Sequence, residues 1–450
     1  MAVITETARP VGRSAFDTLD PPEAEKYRAC VHCGLCLPTC PTHVVLGQEM
    51  DSPRGRIYLI RAADEGRIGV TDTFVKHMNL CLLCRACETA CPSGVQFGAL
   101  METARGQIER HYRYPRGERW FRDFVLGVFT SAERTTWLLR PLRWYQRLGI
   151  QRLNRASGIL KLLGRLGEME RLLPEIPDLA LRNALPAETP AEGVRRGRVG
   201  LMVGCVNRVI FPYVNAATIR VLAVAGYEVV VPKAHRCCGS LTVHEGELER
   251  GRAFARETID EFELAGVDFV AVNAAGCGSV MKEYGELLQT DPAYAERART
   301  FAGKVQDISQ LLVDAPLGGR LRPLPLTATY HDACHLAHGQ RVRQEPRKLL
   351  RAIPEFRLVE LQESDFCCGS AGVYNLLHPK EAEAFPDRKL ARVAETNAEI
   401  VVSGNPGCTL QMQAGLRDRG KDVRVLHPVE LVDWALRGGR AAPSPWELGR

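Results

Sequence analysis

Three features of the sequence predict an α+β chain of several domains. A four-cysteine run occurs twice near the N-terminus. A further set of eight cysteines repeats at an interval of about 130 residues. Within that repeat, β-rich stretches alternate with helical ones, which implies parallel sheets with crossover helices. The expected architecture is a mostly helical cysteine-rich module followed by a duplicated α/β domain. At 450 residues the chain has room for two or three domains of usual size. Hydrophobic residues make up 45% and charged residues 25%, a balance that supports buried cores and excludes disorder. Sixteen cysteines are too sparse for a disulfide scaffold in a chain this long. The first residues, MAVITETARPVGRSAF, hold no basic stretch followed by an apolar one, and no apolar run is long enough to span a bilayer. The expectation is a cytoplasmic chain with reduced thiols, whose clustering points to metal or redox chemistry.

The first run, CVHCGLCLPTCP, places Cys30, Cys33, Cys36 and Cys40 within residues 30–41. The second, CLLCRACETACP, places Cys81, Cys84, Cys87 and Cys91 within residues 81–92. Both read C-x2-C-x2-C-x3-C-P. Three thiolates at this spacing wrap one [4Fe–4S] cluster, and in two-cluster ferredoxins the fourth ligates the other cluster while the proline turns the chain away. The expected ligands are Cys30, Cys33, Cys36 and Cys91 for one cluster, and Cys81, Cys84, Cys87 and Cys40 for the other. Zinc sites use C-x2-C pairs, which leaves the third cysteine and the duplicated Cys-Pro unexplained.

This two-cluster ferredoxin module is expected over residues 20–110. Residues from Arg56 (RIYLIRAADEG), from Asp72 (DTFVKHMNL) and after Cys91 (PSGVQFGALMETARGQIERHYR) have helical spacing. His32 and His77 lie near the clusters and are expected to be hydrogen-bonded neighbours, since the cysteine count is already complete. Residues 111–196 read as a basic helical linker. Between 112 and 171 there are 13 Lys/Arg against 5 Asp/Glu, a net of +8, so the rest of the chain sums to −2 against a total of +6. Trp120, Phe121, Phe124, Val125, Phe129, Trp137, Leu138, Leu139, Trp144 and Tyr145 are interleaved with these arginines. Such a segment suits a helical linker packed on the neighbouring domains or on a partner subunit. The second option is peripheral contact with an anionic membrane surface, on the inner face of the cytoplasmic membrane. Nucleic acid is not expected, because no recognised binding module accompanies the charge.

The second set comprises Cys205, Cys237, Cys238 and Cys277, then Cys334, Cys367, Cys368 and Cys408, in domains expected at 197–318 and 319–437. Gaps of 31 and 38 residues in the first half become 32 and 39 in the second. RVGLMVG precedes Cys205, FVAVNAAG precedes Cys277, LTATYHDA precedes Cys334 and EIVVSGNPG precedes Cys408. Each is a short β-rich run ending in a turn, followed by helical stretches such as those from Asn215 and Glu249. Ligands bind at strand ends in such folds, so the cysteines of a half should converge on one crevice. Adjacent Cys237 and Cys238, or Cys367 and Cys368, face one site only if the backbone bends, which Gly239 and Gly369 permit. His331 and His335 flank Cys334 as candidate extra ligands or proton donors.

These motifs carry a resemblance. CVHCGLCLPTCPTHVVLGQEMDSPRGRIYLI, CLLCRACETACPSGV, VNAAGCGSVMKEYG, YHDACHLAHGQ and CCGSAGVYNLL resemble the family of iron–sulfur subunits of glycolate dehydrogenase, also called glycolate oxidase. That family joins a double-cluster ferredoxin module to two CCG domains of the heterodisulfide reductase type. The resemblance covers most of residues 25–435. It implies an iron–sulfur electron-transfer subunit of a complex that oxidises glycolate to glyoxylate on FAD-containing subunits and passes electrons towards a quinone or other acceptor. No catalytic residue of its own is implied. The chain lacks G-x-G-x-x-G and G-x4-G-K-[ST] motifs, in keeping with a hydride acceptor on a partner. Subunits of glycerol-3-phosphate or lactate dehydrogenase complexes share these modules, and a CCG-type disulfide reductase is the rival from another class. One departure stands out: Val280 and Gln411 occupy positions where the heterodisulfide reductase form has a fifth cysteine. A third cluster, a zinc ion or free thiols are therefore all open for the eight CCG cysteines.

Overall fold

The computed structural model describes residues 12–234 and 237–438, so residues 1–11, part of the stretch read for a leader, lie outside it. The chain forms two compact units. One runs through Pro115 and takes in Val243–Leu248; the other comprises Arg116–Thr242 and the chain from Glu249 on.

Among its described residues the first unit is helical and has no strand. Its longer helices are Pro53–Asp64, Asp72–Asn79 and Phe97–His111. Ser52 caps the first by accepting the Gly55 N–H at 2.9 Å, and Pro53, lacking an N–H, fills the opening position. Thr71 caps the second. Ile57 and Ile60, Phe74 and Met78, and Leu100, Met101, Ala104 and Ile108 recur at helical spacing on one face of each helix and form the core.

In the second unit the basic segment folds into helices Arg116–Phe129, Ala132–Arg147, Ile150–Ser157 and Arg165–Leu172. Val125 and Leu126 pack on Val373 and Leu377, while Ala132 and Leu139 join the main core. Strand β1 (Glu188–Thr189), which the linker reading did not anticipate, pairs antiparallel at the edge of the first sheet. That sheet continues with β2 (Gly197–Met202), β3 (Tyr227–Val230), β4 (Phe269–Val272) and β5 (Val305–Asp307), in the order β1-β3-β2-β4-β5. The second sheet contains β6 (Thr327–His331), β7 (Arg357–Val359), β8 (Ile400–Ser403) and β9 (Arg424–Leu426), in the order β7-β6-β8-β9. All pairs except β1–β3 are parallel.

The two sheets repeat one topology, as the cysteine spacing predicts. In each half the strand that opens the repeat, β2 or β6, is flanked on both sides by the next two, so the chain reverses direction around it. Such a switch point opens a crevice at the carboxyl ends of the strands. β2, β4, β6 and β8 are the four β-rich runs expected before Cys205, Cys277, Cys334 and Cys408. The helices expected from Asn215 and Glu249 are Pro212–Val224 and Leu248–Leu264. One core serves both halves: Val199, Leu201 and Val229 pack in the same cluster as Tyr330, Ile400, Val402 and Leu426.

Candidate metal centres

The two N-terminal cysteine runs wind their backbones alike. His32 and Gly34 in the first, and Leu83 and Arg85 in the second, have φ of 54°, 82°, 50° and 62°. These are the second and fourth residues after the leading cysteine of each run. A non-glycine residue in this left-handed region costs on the order of 1 kcal/mol, so its repetition marks a functional backbone. Changes of backbone hand turn successive N–H groups towards one point, a curl suited to an anionic thiolate cluster.

Each run lines a recess. One of about 420 Å³ is walled by Cys30, Cys33, Cys36 and Cys91, and Cys87 also touches it. The other, of about 290 Å³, is walled by Cys40, Cys81, Cys84 and Cys87. The last cysteine of each run thus lies with the first three of the other. All eight thiols are free of disulfides. Burial raises the Cys36, Cys40 and Cys87 thiols above their ordinary values, so these groups stay protonated until a metal displaces the proton. Four cysteine thiols around each recess, none in a disulfide, fit an iron–sulfur cluster by number and chemistry.

A buried polar network supports Cys40. Arg56 is inaccessible; it donates Nε to the His77 carbonyl at 2.8 Å and NH1 to Thr42 Oγ1 at 2.9 Å and to the Asp51 carbonyl at 2.5 Å. The Asp51 carboxylate takes Arg56 NH2 at 3.2 Å and His77 Nδ1 at 2.9 Å. Thr42 Oγ1 in turn lies 3.2 Å from Cys40 Sγ. His77 is therefore a buried neighbour of a candidate ligand, whereas His32 is exposed with its ring edge-on to Tyr58. The SPRGRIYLI stretch is the visible signal of this network: Ser52 and Pro53 open the helix, Gly55 admits the Glu49 carbonyl and Arg56 turns inward. A second buried guanidinium, Arg105, donates NH2 to the Cys81 carbonyl at 2.6 Å and to the Met78 carbonyl at 3.1 Å, tying down the entry to the second run. Nothing in the sequence singled out Arg105.

In the second unit each half gathers its cysteines at the carboxyl ends of its strands. Cys205 follows β2 and its Sγ lies 3.7 Å from Cys237 Sγ. The Cys237 thiol, and then burial, pushes the Cys205 thiol well above its usual value; Cys367 and burial do the same to Cys334. Cys237 lowers the Cys238 thiol while Cys277 and burial raise it, leaving it well above its usual value; Cys367, Cys408 and burial act on Cys368 in the same way. Gly239 and Gly369 have φ of 78° and 86°, the bend that lets neighbouring cysteines serve one site. His331 ends β6 close to Cys368 and Cys408, and burial followed by the Lys389 charge lowers its pKa to about 3. His335 is buried on the π-type turn His335–Gly339. Val280 and Gln411 are both buried, and Gln411 Oε1 accepts Asn375 Nδ2 at 2.8 Å.

Thiol-lined recesses in a helical module, joined to paired cysteine-rich α/β repeats, define an iron–sulfur electron-transfer protein. Family models match accordingly: a 4Fe-4S dicluster domain over residues 26–95, a cysteine-rich domain over 199–282 and again over 328–413, and the linker region of the glycolate oxidase iron–sulfur subunit over 117–173. The chain is 38% identical over 410 residues to a Bacillus subtilis protein named "Probable glycolate oxidase iron-sulfur subunit", covering 90% of this chain and 92% of that one. It is 35% identical over 417 residues to the Escherichia coli glycolate oxidase iron–sulfur subunit, covering 91% and 94%. Lactate utilization protein A of Oceanobacillus iheyensis is 31% identical over 248 residues, covering 54% of this chain and all of that one. The chain belongs to the family of glycolate oxidase iron–sulfur subunits. Among the described residues no helix is long and apolar enough to cross a membrane.

Proposed function

We propose that this chain carries electrons from the FAD-containing subunits of a glycolate dehydrogenase towards a quinone or other acceptor. Oxidation of glycolate to glyoxylate releases two electrons and two protons at the flavin, and this chain moves the electrons onward. The observation that carries the reading is the relationship to glycolate oxidase subunits along nine-tenths of the chain, linker included. Cys30, Cys33, Cys36 and Cys91 would hold one [4Fe–4S] cluster, and Cys81, Cys84, Cys87 and Cys40 the other; the placement of Cys40 and Cys91 in the opposite recesses supports this pairing. When bound, such clusters supply one-electron carriers. Arg56, Thr42 and the curled backbone hold the thiolates in place and supply hydrogen bonds that tune potential.

The basic segment supplies a surface for the partner. Trp120, Trp137 and Trp144 are 67%, 74% and 63% exposed, and Leu148, Leu153 and Leu166 of the same segment are exposed as well, interleaved in sequence with arginines. Aromatic and arginine side chains are the residues that dominate protein interfaces. We assign this face to the flavin subunits, with the inner face of the cytoplasmic membrane as the competing surface.

Lactate is the second reading, favoured by the likeness to lactate utilization protein A. The test is reconstitution. The chain mixed with its flavin subunits should reduce a dye or quinone with glycolate, and more slowly with lactate or glycerol 3-phosphate. The isolated, flavin-free chain should oxidise none of them. Lactate turnover exceeding glycolate turnover, or glycolate oxidation by the chain alone, would overturn the assignment.

A further inference from the structure

The two CCG halves differ at the ends of their first strands. His331 closes β6 three residues before Cys334; three residues before Cys205 stands Met202. His331 is 1% exposed, and neither ring nitrogen has a hydrogen-bond partner. A neutral imidazole has one donor and one acceptor, and burying both without partners is costly. The cost is explained if something absent from the polypeptide binds there. One His331 ring nitrogen, Cys368 Sγ and Cys408 Sγ all lie within 4.8 Å of one another, and among the described residues this is the one such group of three metal-binding side chains.

We propose that the second CCG half holds a single zinc-class ion through His331, Cys368 and Cys408, with Cys334 or Cys367 as the fourth ligand. The spacing favours an ion over a cluster. Tetrahedral zinc with Zn–S bonds of about 2.3 Å brings its thiolates to about 3.8 Å apart, which small side-chain movements would achieve here. A cubane spreads its thiolates over separate iron corners, and the N-terminal cysteines, ranged around their two recesses, are not gathered in this tight way. The donor set is the nitrogen and sulfur mixture that structural zinc takes.

The surroundings suit the charge. Three thiolates and one divalent cation sum to −1. Lys389, 1% exposed, lies within electrostatic reach of Cys367 and Cys368, and its hydrogen bonds run to the Glu363 and Ser364 carbonyls. Counting forward from the paired cysteines, the first half has Ile259 at this position, buried and apolar. Asn405 Nδ2 donates to Cys408 Sγ at 3.4 Å, as neighbours of zinc thiolates do. Metal binding would displace the thiol protons and take His331 in its neutral form. Zinc has no redox chemistry, so this half would anchor structure or a partner and would not extend the electron route. The proposal is independent of which hydroxyacid the complex oxidises.

Metal analysis of the full chain, purified anaerobically and dialysed against buffer, tests it. The expected result is about one zinc beside the cluster iron, with zinc X-ray absorption showing mostly sulfur and one nitrogen ligand. His331→Met, which installs the residue of the first half, should lower zinc at least about tenfold while leaving iron and the visible cluster spectrum unchanged. Cys408→Ser should do the same, and decides the matter if His331→Met fails to fold. Parent protein without zinc, an all-sulfur zinc environment, retained zinc in both variants, or extra iron lost on His331→Met would each overturn the proposal.

Discussion

Arg56 and Asp51 form an ion pair at 3.2 Å in which neither side chain reaches solvent, beside the thiol of Cys40. A buried pair is not in itself a large stabiliser, because both ions are taken out of water. Removing one partner is another matter, since the remaining charge is left uncompensated. Arg56→Ala should cost about 3–5 kcal/mol in chemical denaturation and should also remove the donor that fixes Thr42 beside Cys40. Arg56→Lys keeps the charge but not the planar fork that serves the His77 carbonyl, Thr42 and Asp51 together, so it should be intermediate. Unchanged unfolding of Arg56→Ala would show that the network does not support the fold.

Gly55 sits where no side chain fits. A Cβ there would lie 1.9 Å from the Glu49 carbonyl oxygen, which is backbone and has little freedom to yield. Gly55→Ala should therefore destabilise the first unit by about 3 kcal/mol or more, as severe overpacking does. Gly69→Ala is the control: its Cβ would meet nothing within 4 Å, and its effect should stay within about 0.5 kcal/mol. Equal melting of the two variants would contradict the steric account.

What the sequence revealed and what it hid divide along physical lines. The strands before Cys205, Cys277, Cys334 and Cys408 were readable because short β-branched runs end in glycine or polar turns, a local signal. The cysteine runs were readable because spacing alone constrains the ligands. Arg105 was not, because an arginine in a helical pattern reads as solvent-facing and only tertiary contacts turn it inward; Arg56 was visible only as part of the SPRGRIYLI stretch, not as a buried cation. Val243–Leu248, read as part of the first CCG domain, packs in the N-terminal unit: a Cβ on Gly246 would lie 2.5 Å from the Arg105 backbone. Strand β1, of two residues, is too short for periodicity to reveal. His331 was visible only as a neighbour of Cys334; its closeness to Cys368 and Cys408 depends on how β6 and β8 align.

Glu430 offers a test through pH. It is buried, its Oε2 accepts the His427 N–H at 2.7 Å, and burial raises its pKa from 4.5 to about 7. The folded state thus holds a proton that the unfolded state has lost between these values. Stability from this group is present below about pH 4.5 and falls away as pH rises through about 7. Glu430→Gln preserves the cap and stays neutral. It should match the parent near pH 4 and exceed it by on the order of 1–3 kcal/mol at pH 8. A variant less stable than the parent at pH 8 would mean that the carboxylate is favoured there, and that burial does not dominate.

The crossed placement of Cys40 and Cys91 makes the last prediction. Cys40 shares a recess with Cys81, Cys84 and Cys87, although it belongs in sequence to the run of Cys30, Cys33 and Cys36. Cys91 shares the other recess with that first trio. Cys40→Ser should therefore perturb the cluster of the second run and spare that of the first, and Cys91→Ser should do the reverse. Low-temperature electron paramagnetic resonance of the reduced protein separates two interacting clusters from one isolated cluster, and iron content should fall from about eight towards about four in each variant. The discriminating step is a double variant. Cys40→Ser combined with Cys84→Ser should leave one cluster, as either single variant does, because both changes strike the same site. Cys40→Ser combined with Cys33→Ser should abolish both clusters. If Cys40 instead served the run it belongs to in sequence, the two double variants would exchange outcomes.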